Sequence, residues 1–452
     1  MNIKENLIKA RGSLVFLIGL TVAFGTVFSL ERWNPVPADG VVRAAPVIDL
    51  KVNQLTDLPK LRVLTDEEMQ YAEIAWQYFV KNTNGKTGLV NSVSQYPAAT
   101  LWDTSSYLLG LISAYKLGLV ETAEFNQRTE QLLETLATMP LFDDRLPNKS
   151  YSVVNGAMVT YDNEDTERGI GWSAIDIGRI LVPFNVLVWR YPEFTRDVNQ
   201  VLANWDLSAI AKNAEMMGAA VDENAGTLIL QEGRLGYEEY AAKSLMLTGM
   251  DVSQALDYQA HFEYVEISGV GIGTDLRTPD KFDALNAVVS EPYVLDGLEF
   301  GWDRYSRSLA DGVYRVQQAR YEETGILTAV SEDNIDQAPY FVYNTVFANG
   351  KPWNAVTESG VDASAYRSVS TKTVFGLHAL FRSDYTQLLI DHIKTRFDPE
   401  EGWYSGVYEA TGNTNKSLTA NTNGIILESL HFIQFGPLMN LGQPMQMAIS
   451  EE

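Results

Sequence analysis

From Asp66 onward, apolar residues recur at the three- and four-residue spacing that is typical of helices. Few stretches show the two-residue alternation of strands. The pattern predicts helices over 66–82, 101–118, 122–138, 172–191, 195–215, 237–250, 292–321 (one helix or two), 371–383, 385–397 and 420–435. The chain is therefore predicted to be all-α.

Five of these helices begin with a short polar or aromatic cluster that leads into an apolar run. The five segments are LWDTSSYLLGLISAY at 101, GWSAIDIGRILVPF at 171, GYEEYAAKSLML at 236, SVSTKTVFGLHALF at 368 and NTNGIILESLHF at 421. Between them fall helices with a charged face, such as TAEFNQRTEQLLETLATM at 122. A helix that is apolar all round is buried, whereas a helix with a charged face lies outside. Alternating inner and outer helices predict an (α/α)6 toroid, with a helix bundle or a helical repeat array as the alternatives.

The first thirty residues follow a different pattern. Residues 13–30 carry no charge, are mostly apolar, and follow Lys4, Lys9 and Arg11. Eighteen such residues can cross a bilayer, and the positive flank stays in the cytoplasm. This predicts a single-pass bacterial inner-membrane protein with its main domain in the periplasm. The predicted organisation is a cytoplasmic end (1–12), a signal anchor (13–30), an extended linker (31–65), the toroid domain (66–440) and a tail (441–452). A cleaved signal peptide is the alternative.

Composition narrows the chemistry. A formal net charge of −24 disfavours nucleic acid as a partner and is compatible with a neutral glycan. There is no cysteine, and the four histidines include no zinc-type pair. The acidic run 161–165 lacks the spacing of an EF-hand and is typical of a solvated loop. We therefore expect carboxylate chemistry with no metal and no cofactor.

Longer motifs carry a family resemblance. The stretches are RLGYEEYAAKSLMLTGMD, VSEPYVLDGLEFGWD, GILTAVSEDNIDQAPYFVYNTVFANGKPWNA, GWYSGVYE and NTNGIILESL. Over about 66–437 they resemble an uncharacterised bacterial family of envelope proteins, known only as a domain of unknown function. More remotely, the chain is similar to the glucoamylase-like toroid enzymes, which include endo-β-1,2-glucanases and the processing domain of cyclic β-1,2-glucan synthases.

The remote resemblance implies particular site residues. The Gly-Tyr-Asp-Glu-Ala segment of the glucanases is matched at 236–240, which implies Glu239 as the catalytic acid. Their Ser-Thr-Ile-Asp turn is matched at 173–176, which brings in Asp176. The glutamate that precedes this turn in the glucanases has no match, because Gly171 and Trp172 stand nearby. A Thr-Ala-Ser-Asp segment resembles 328–333, with one inserted residue, and brings in Glu332 and Asp333.

Glycoside hydrolysis needs a protonated carboxyl and a second carboxylate that activates water or attacks the sugar. Acidic residues at helix starts and in loops are, however, commonly no more than surface decoration. Asp103 and Asp176, set among apolar residues, are each a base, a sugar ligand or a buried anchor. Aromatic rings at the same positions can pack on sugar faces. The predicted substrate-binding residues are Trp102, Asp103, Trp172, Tyr237, Glu238, Glu291, Tyr343, Trp353, Trp403 and Tyr404.

The sequence therefore predicts a glycoside hydrolase or transglycosylase that acts on a β-glucan-like polysaccharide by carboxylate acid/base catalysis. The alternative is a non-catalytic glycan-binding accessory protein of a membrane polysaccharide synthase or exporter. A third hypothesis is an envelope scaffold. A carboxylate pair beside aromatic residues would favour the first, aromatic residues alone the second, and a filled ring centre the third.

Overall fold

The computed structural model describes residues 55–222, 226–282 and 285–440. The predicted anchor at 13–30, most of the linker and the tail at 441–452 lie outside the described residues. Within the described part of the chain, no helix has both the length and the apolarity needed to span a bilayer.

Twelve helices occur in the described residues. They are α1 (Asp66–Asn82), α2 (Leu101–Lys116), α3 (Thr122–Thr138), α4 (Ala174–Arg190), α5 (Thr195–Ala203), α6 (Tyr237–Leu247), α7 (Pro279–Phe282), α8 (Glu291–Leu295), α9 (Arg304–Thr324), α10 (Thr371–Phe381), α11 (Asp384–Ile393) and α12 (Ala420–Phe435). A π-helical turn, Asp296–Phe300, extends α8. Single 3-10 turns lie at Pro192–Phe194, Leu207–Ile210 and Ser364–Tyr366.

The even-numbered helices form a closed inner ring. Each contacts the next in chain order, and α12 returns to contact α2. Burial separates this ring from the helices around it. Every residue of α10 is buried, whereas the buried residues of the outer helix α3 form one stripe: Phe125, Thr129, Leu132, Leu133 and Leu136. The predicted alternation of inner and outer helices is confirmed.

Small residues allow the inner helices to approach closely. A β-carbon on Gly178 of α4 would lie 2.6 Å from that of Ala241 in α6. A β-carbon on Gly424 of α12 would lie 2.6 Å from the carbonyl oxygen of Ser106 in α2. Glycine is therefore required at both contacts, since any side chain would push the two helices apart.

Eighteen short strands lie between the helices of the described residues. They are β1 (Ala98–Ala99), β2 (Leu141–Phe142), β3 (Leu146–Pro147), β4 (Tyr151–Ser152), β5 (Ala211–Lys212), β6 (Glu215–Asp222), β7 (Gly226–Gln231), β8 (Phe262–Ile267), β9 (Val270–Asp275), β10 (Glu332–Asn334), β11 (Phe341–Asn344), β12 (Phe347–Ala348), β13 (Lys351–Pro352), β14 (Ala355–Val356), β15 (Ser368–Ser370), β16 (Phe397–Asp398), β17 (Gly402–Tyr408) and β18 (Thr414–Leu418). They pair antiparallel as β1–β4, β2–β3, β5–β6–β7, β8–β9, β10–β11–β14, β12–β13 and β15–β17–β16, with β18 on β17.

These strands correct the all-α prediction. The β8–β9 hairpin and the four-residue helix α7 come between α6 and α8, where a complete outer ring would have a long helix, and the hairpin contacts α9. The predicted helix 195–215 was also wrong in its second half, because α5 ends at Ala203 and the chain continues into β5 and β6. The fold is a helical toroid with small sheets inserted between its helices.

Candidate functional site

The first turns of the six inner helices converge on one side of the ring, which we call the amino-terminal face. Trp102 of α2, Lys372 of α10 and Asn421 of α12 contact Glu291 of α8, and the ring of Tyr237 of α6 meets that of Trp102. Asp176 lies in the first turn of α4, close enough to Asp103 of α2 for the two charges to interact. Two of these helices start with the same local motif, Ser/Thr-x-x-Asp. Thr100 accepts a hydrogen bond from the backbone of Asp103, and Ser173 accepts one from Asp176, each at 3.1 Å. This capping explains why polar residues lead into the apolar runs.

Glu291 contacts residues from three other inner helices at the amino-terminal face. Its Oε1 atom accepts hydrogen bonds from Nε1 of Trp102 at 3.1 Å and from Nδ2 of Asn421 at 2.8 Å. Its Oε2 atom forms an ion pair with Lys372. Glu291 and Lys372 are 2% and 4% exposed. This one buried carboxylate thus links α8 to three other inner helices at the amino-terminal face.

A second charged cluster lies deeper. Arg179 is fully buried, and its Nη2 atom lies 3.7 Å from Glu428 and 3.9 Å from Glu299. The guanidinium also stacks 4.3 Å from the ring centre of Trp102. Burial raises the pKa of Glu299 to about 7 and that of Glu428 well above its usual range. One arginine therefore faces two carboxyl groups that do not ionise easily together.

On the α10 side of the face, Glu332 and Asp333 lie at the start of β10. Oδ1 of Asp333 is 3.5 Å from the Lys372 ammonium, and Oε2 of Glu332 accepts from the Ser331 hydroxyl at 3.0 Å. Burial raises the pKa of each carboxyl to about 7, although the Lys372 charge opposes the shift. Both groups can therefore exchange a proton near neutral pH.

On the α4 side, Asp176 shares a hydroxyl with a carboxylate that the sequence did not single out. Ser173 Oγ lies 3.2 Å from Oδ1 of Asp176 and 2.7 Å from Oε1 of Glu232. The Oε2 atom of Glu232 accepts the backbone N–H of Ala174 at 2.6 Å. Burial, followed by the charge of Glu232, raises the pKa of Asp176 to about 7. Asp176, Ser173 and Glu232 are all partly exposed.

Aromatic residues border these carboxyls. The rings of Trp102 and Tyr237 meet edge to face at 5.5 Å, and both are partly exposed. Tyr161 is 61% exposed as a whole residue, whereas its hydroxyl group is surrounded by protein. Burial of that hydroxyl, and then the charges of Asp176 and Glu232, raise its pKa. Tyr343, partly exposed, is affected in the same way by Glu332. The carboxyls of the face thus lie beside aromatic rings that are partly or largely exposed.

The acid implied by the resemblance, Glu239, is placed differently. It is 3% exposed, and its Oε2 atom accepts the backbone N–H of Gly236 at 2.7 Å, as the third residue of a helix often does. Its neighbour Glu238 forms an ion pair with Arg277 and accepts from Gln231 at 3.0 Å. Burial and then the Glu238 charge raise the pKa of Glu239 to about 8. A carboxyl that keeps its proton at neutral pH could serve as a general acid, but the Glu239 carboxyl is hydrogen-bonded to the start of its own helix.

Replacing Glu239 with Gln is expected to make stability less dependent on pH. The pKa of Glu239 rises from 4.5 to about 8 on folding, so the folded chain keeps this proton after the unfolded chain has lost it. The resulting stability is full below about pH 4.5 and is lost as the pH rises toward 8. Denaturant unfolding at pH 5 and pH 8 should show a smaller loss for the Gln variant, by a few kcal/mol at about 1.4 kcal/mol per unit. The exposed Glu266→Gln should follow the parent chain, and equal losses in all three proteins would contradict the argument.

Four predicted sugar-binding aromatic residues make other contacts. Trp172 and Trp403 are 1% and 0% exposed and donate to the carbonyl groups of Met217 and Tyr71. They are core residues, so their prediction as sugar platforms was wrong. The ring of Trp353 lies under the Arg320 guanidinium at 5.0 Å. Tyr404 lies in β17, beside the charges of Asp398 and Glu401.

Within the described ranges, no group of three or more histidine, aspartate or glutamate side chains is arranged to hold a metal ion. The candidate site therefore consists of carboxyl groups, the two buried cations Arg179 and Lys372, and aromatic residues.

The ring of paired helices is the fold of glucoamylase-like toroid proteins. An endo-β-1,2-glucanase from Chitinophaga pinensis superimposes with a TM-score of 0.60 at 9% identity, over 84% of this chain and 95% of that one. A proposed glucoamylase from Bacteroides caccae gives a TM-score of 0.60 at 11% identity, over 83% and 94%. An endo-β-1,2-glucanase from Talaromyces funiculosus, solved with sophorose, gives 0.54 at 12% identity, over 83% and 84%.

The family itself is defined by sequence. Residues 70–436 match DUF3131, a family described as proteins of unknown function, and the chain belongs to that family. Among curated proteins, none matches this sequence. The family resemblance predicted from the motifs is confirmed.

Proposed function

We propose that this protein is a glycoside hydrolase or transglycosylase that acts on a β-glucan-like polysaccharide. The observation that carries the proposal is the amino-terminal face, where Asp176 on one side and Glu332 and Asp333 on the other have pKa values near 7. The helix α4 that carries Asp176 is separated from α10 by two inner helices in either direction round the ring. Carboxyls on opposite sides of a sugar are what glycosidases use.

The reaction assigns one role to each side. A protonated carboxyl gives its proton to the glycosidic oxygen while the bond from this oxygen to the anomeric carbon breaks. A carboxylate across the ring takes a proton from the water, or from the acceptor hydroxyl of a second sugar, that attacks the anomeric carbon. Burial keeps these groups near their midpoint, so both proton states are accessible at neutral pH. Trp102, Tyr237 and Tyr161 offer rings for the sugar.

We also propose that the reaction takes place in the periplasm, with residues 13–30 as the membrane anchor. The support is the sequence pattern of that segment. A polysaccharide synthase or exporter in the same membrane is the corresponding candidate partner.

A specific observation favours the second candidate function, that of a glycan-binding accessory protein. Several carboxylates near the face are already engaged: Glu291 by Lys372, Asp333 by the same lysine, and Glu238 by Arg277. An ion-paired carboxylate is a poor proton carrier but a good fixed hydrogen-bond acceptor. Such a face would hold a glycan without cleaving it.

Incubation of the purified full chain in detergent with a panel of glycans tests both functions. The panel contains β-1,2-, β-1,3- and β-1,4-glucans, α-glucans and bacterial exopolysaccharides, with new reducing ends and oligosaccharide products as the readout. Affinity electrophoresis on the same glycans measures binding. Cleavage or transfer supports the enzyme. Binding without products supports the accessory protein, and neither activity with any glycan would contradict both.

A further inference from the structure

The carboxyl that accompanies Asp176 comes from a distant part of the chain. Glu232 follows β7 and is 59 residues from Ser173, whose hydroxyl donates a hydrogen bond to it. At Gly171, three residues before Ala174, a β-carbon would lie 2.0 Å from the carbonyl oxygen of Ala219 in β6. The β6–β7 hairpin therefore occupies the space where a side chain at position 171 would stand. The same hairpin delivers Glu232 to the start of α4.

One hydroxyl joins the two acids. Because Ser173 Oγ contacts an oxygen of each, these two oxygens are within about 6 Å of one another. A serine hydroxyl carries one proton, so it cannot donate to both carboxylates at the same time. The shorter contact, 2.7 Å, assigns that proton to Glu232. The 3.2 Å contact with Asp176 is then satisfied when Asp176 itself carries a proton.

The remaining neighbours of Asp176 do not neutralise it. The charged and titratable groups that face it are Glu232, Asp103 of α2, Lys149, and Tyr161 of the loop above. Three of these groups are acidic or phenolic, and only Lys149, which is partly exposed, is a cation. By contrast, Glu291 and Asp333 share a buried lysine. Asp176 is therefore the partly exposed acid of the face that is best placed to hold a proton and release it.

We propose that Asp176 is the proton donor of the reaction and that Glu232, joined to it through the Ser173 hydroxyl, is its positioning residue. The proposal rests on the proposed glycosidase or transglycosylase function. In the step, the Asp176 proton moves to the glycosidic oxygen, and the electron pair of the broken bond stays on that oxygen. Asp176 is left as a carboxylate, and it recovers a proton from solvent. Glu232 takes no part in the proton transfer; it caps α4 through the Ala174 N–H and holds Asp176 through Ser173.

The pH profile of Glu232→Gln tests this assignment on the full chain. Glutamine keeps the size and the helix cap but removes the charge, so Asp176 should lose its proton at lower pH. The alkaline limb of kcat should move down by about one pH unit, which gives roughly tenfold lower activity at pH 8 and nearly parental activity at pH 5. The exposed Glu266→Gln serves as the control and should leave the profile unchanged.

A second measurement needs no turnover. Carboxyl 13C NMR of aspartate-labelled protein, assigned with Asp176→Asn, gives the titration of Asp176 directly. The proposal is supported if Asp176 titrates at lower pH in Glu232→Gln and the alkaline limb of kcat moves down by the same amount. An active parent chain whose limb and Asp176 midpoint do not move in Glu232→Gln would overturn it while leaving the proposed function in place. A parent chain that is inactive on every glycan defeats the proposed function itself, and this proposal with it.

Discussion

Arg179→Met should destabilise the protein by about 3–5 kcal/mol, the range seen when one partner of a buried ion pair is removed. Arg179 is fully buried, donates to Ser106 Oγ at 3.1 Å, and is the cation that faces Glu299 and Glu428. Methionine fills much of the same volume but leaves both carboxyls without a counter-charge. They can escape this cost only by taking up protons. The loss should therefore be greater at pH 8 than at pH 5.

Urea unfolding followed by tryptophan fluorescence measures the effect. Arg190→Met is the matched control, because Arg190 lies on the same helix but is exposed at its last turn. Its variant should stay within about 0.5 kcal/mol of the parent. Equal stabilities for the two variants would show that the buried cluster does not depend on its cation.

Asp176→Asn should lower the turnover of any glycan that the protein cleaves by about 10²- to 10⁴-fold, the usual contribution of a general acid. Asparagine keeps the contact with Ser173 and the cap of α4, so the fold should be retained. The amide has no proton to give to the leaving oxygen. The Michaelis constant should change much less than kcat, since the side chain acts mainly in the transition state.

Glu239→Gln tests the competing hypothesis that Glu239 is the general acid. If the acid is at Glu239, that variant loses turnover and Asp176→Asn retains it. Asp251→Asn, an exposed substitution just beyond α6, should match the parent chain in both constants. Turnover by Asp176→Asn at the parental rate would remove Asp176 from the chemistry.

The helices were predictable because their signals are local. The caps of α2 and α4 are four-residue motifs, and the apolar runs behind them have no polar face. The strands were less accessible. β6 reads EMMGAAVD, which has no two-residue alternation, and its pairing with β7 is decided by tertiary contacts. The β8–β9 hairpin did carry a signal, since the turn-forming pair Ser268-Gly269 separates the segments FEYVEI and VGIGTD. Both turn residues have positive φ in the structure.

The site was predictable in its positions but not in its side-chain directions. Trp102 and Trp172 both lie within two residues of the cap of an inner helix, yet Trp102 donates to Glu291 on the face and Trp172 donates to Met217 in the core. A sequence position at a helix start does not determine which way a ring turns. Glu232 was missed for another reason. It is brought to Ser173 by the β6–β7 hairpin, which the helical pattern did not predict, so no spacing pointed to it.

The contact between α12 and α2 affects how the protein is made. Ser106 of α2 and Asn421 of α12 are hydrogen-bonded at 3.0 Å across 315 positions of the chain. A ribosome therefore releases α1 and α2 long before the helix that covers them exists. The apolar surfaces of α1 and α2 stay exposed or bound by chaperones until nearly the whole domain has been synthesised. A chain cut short before residue 420 has no final segment with which to close the ring, and such fragments should be aggregation-prone and rapidly degraded.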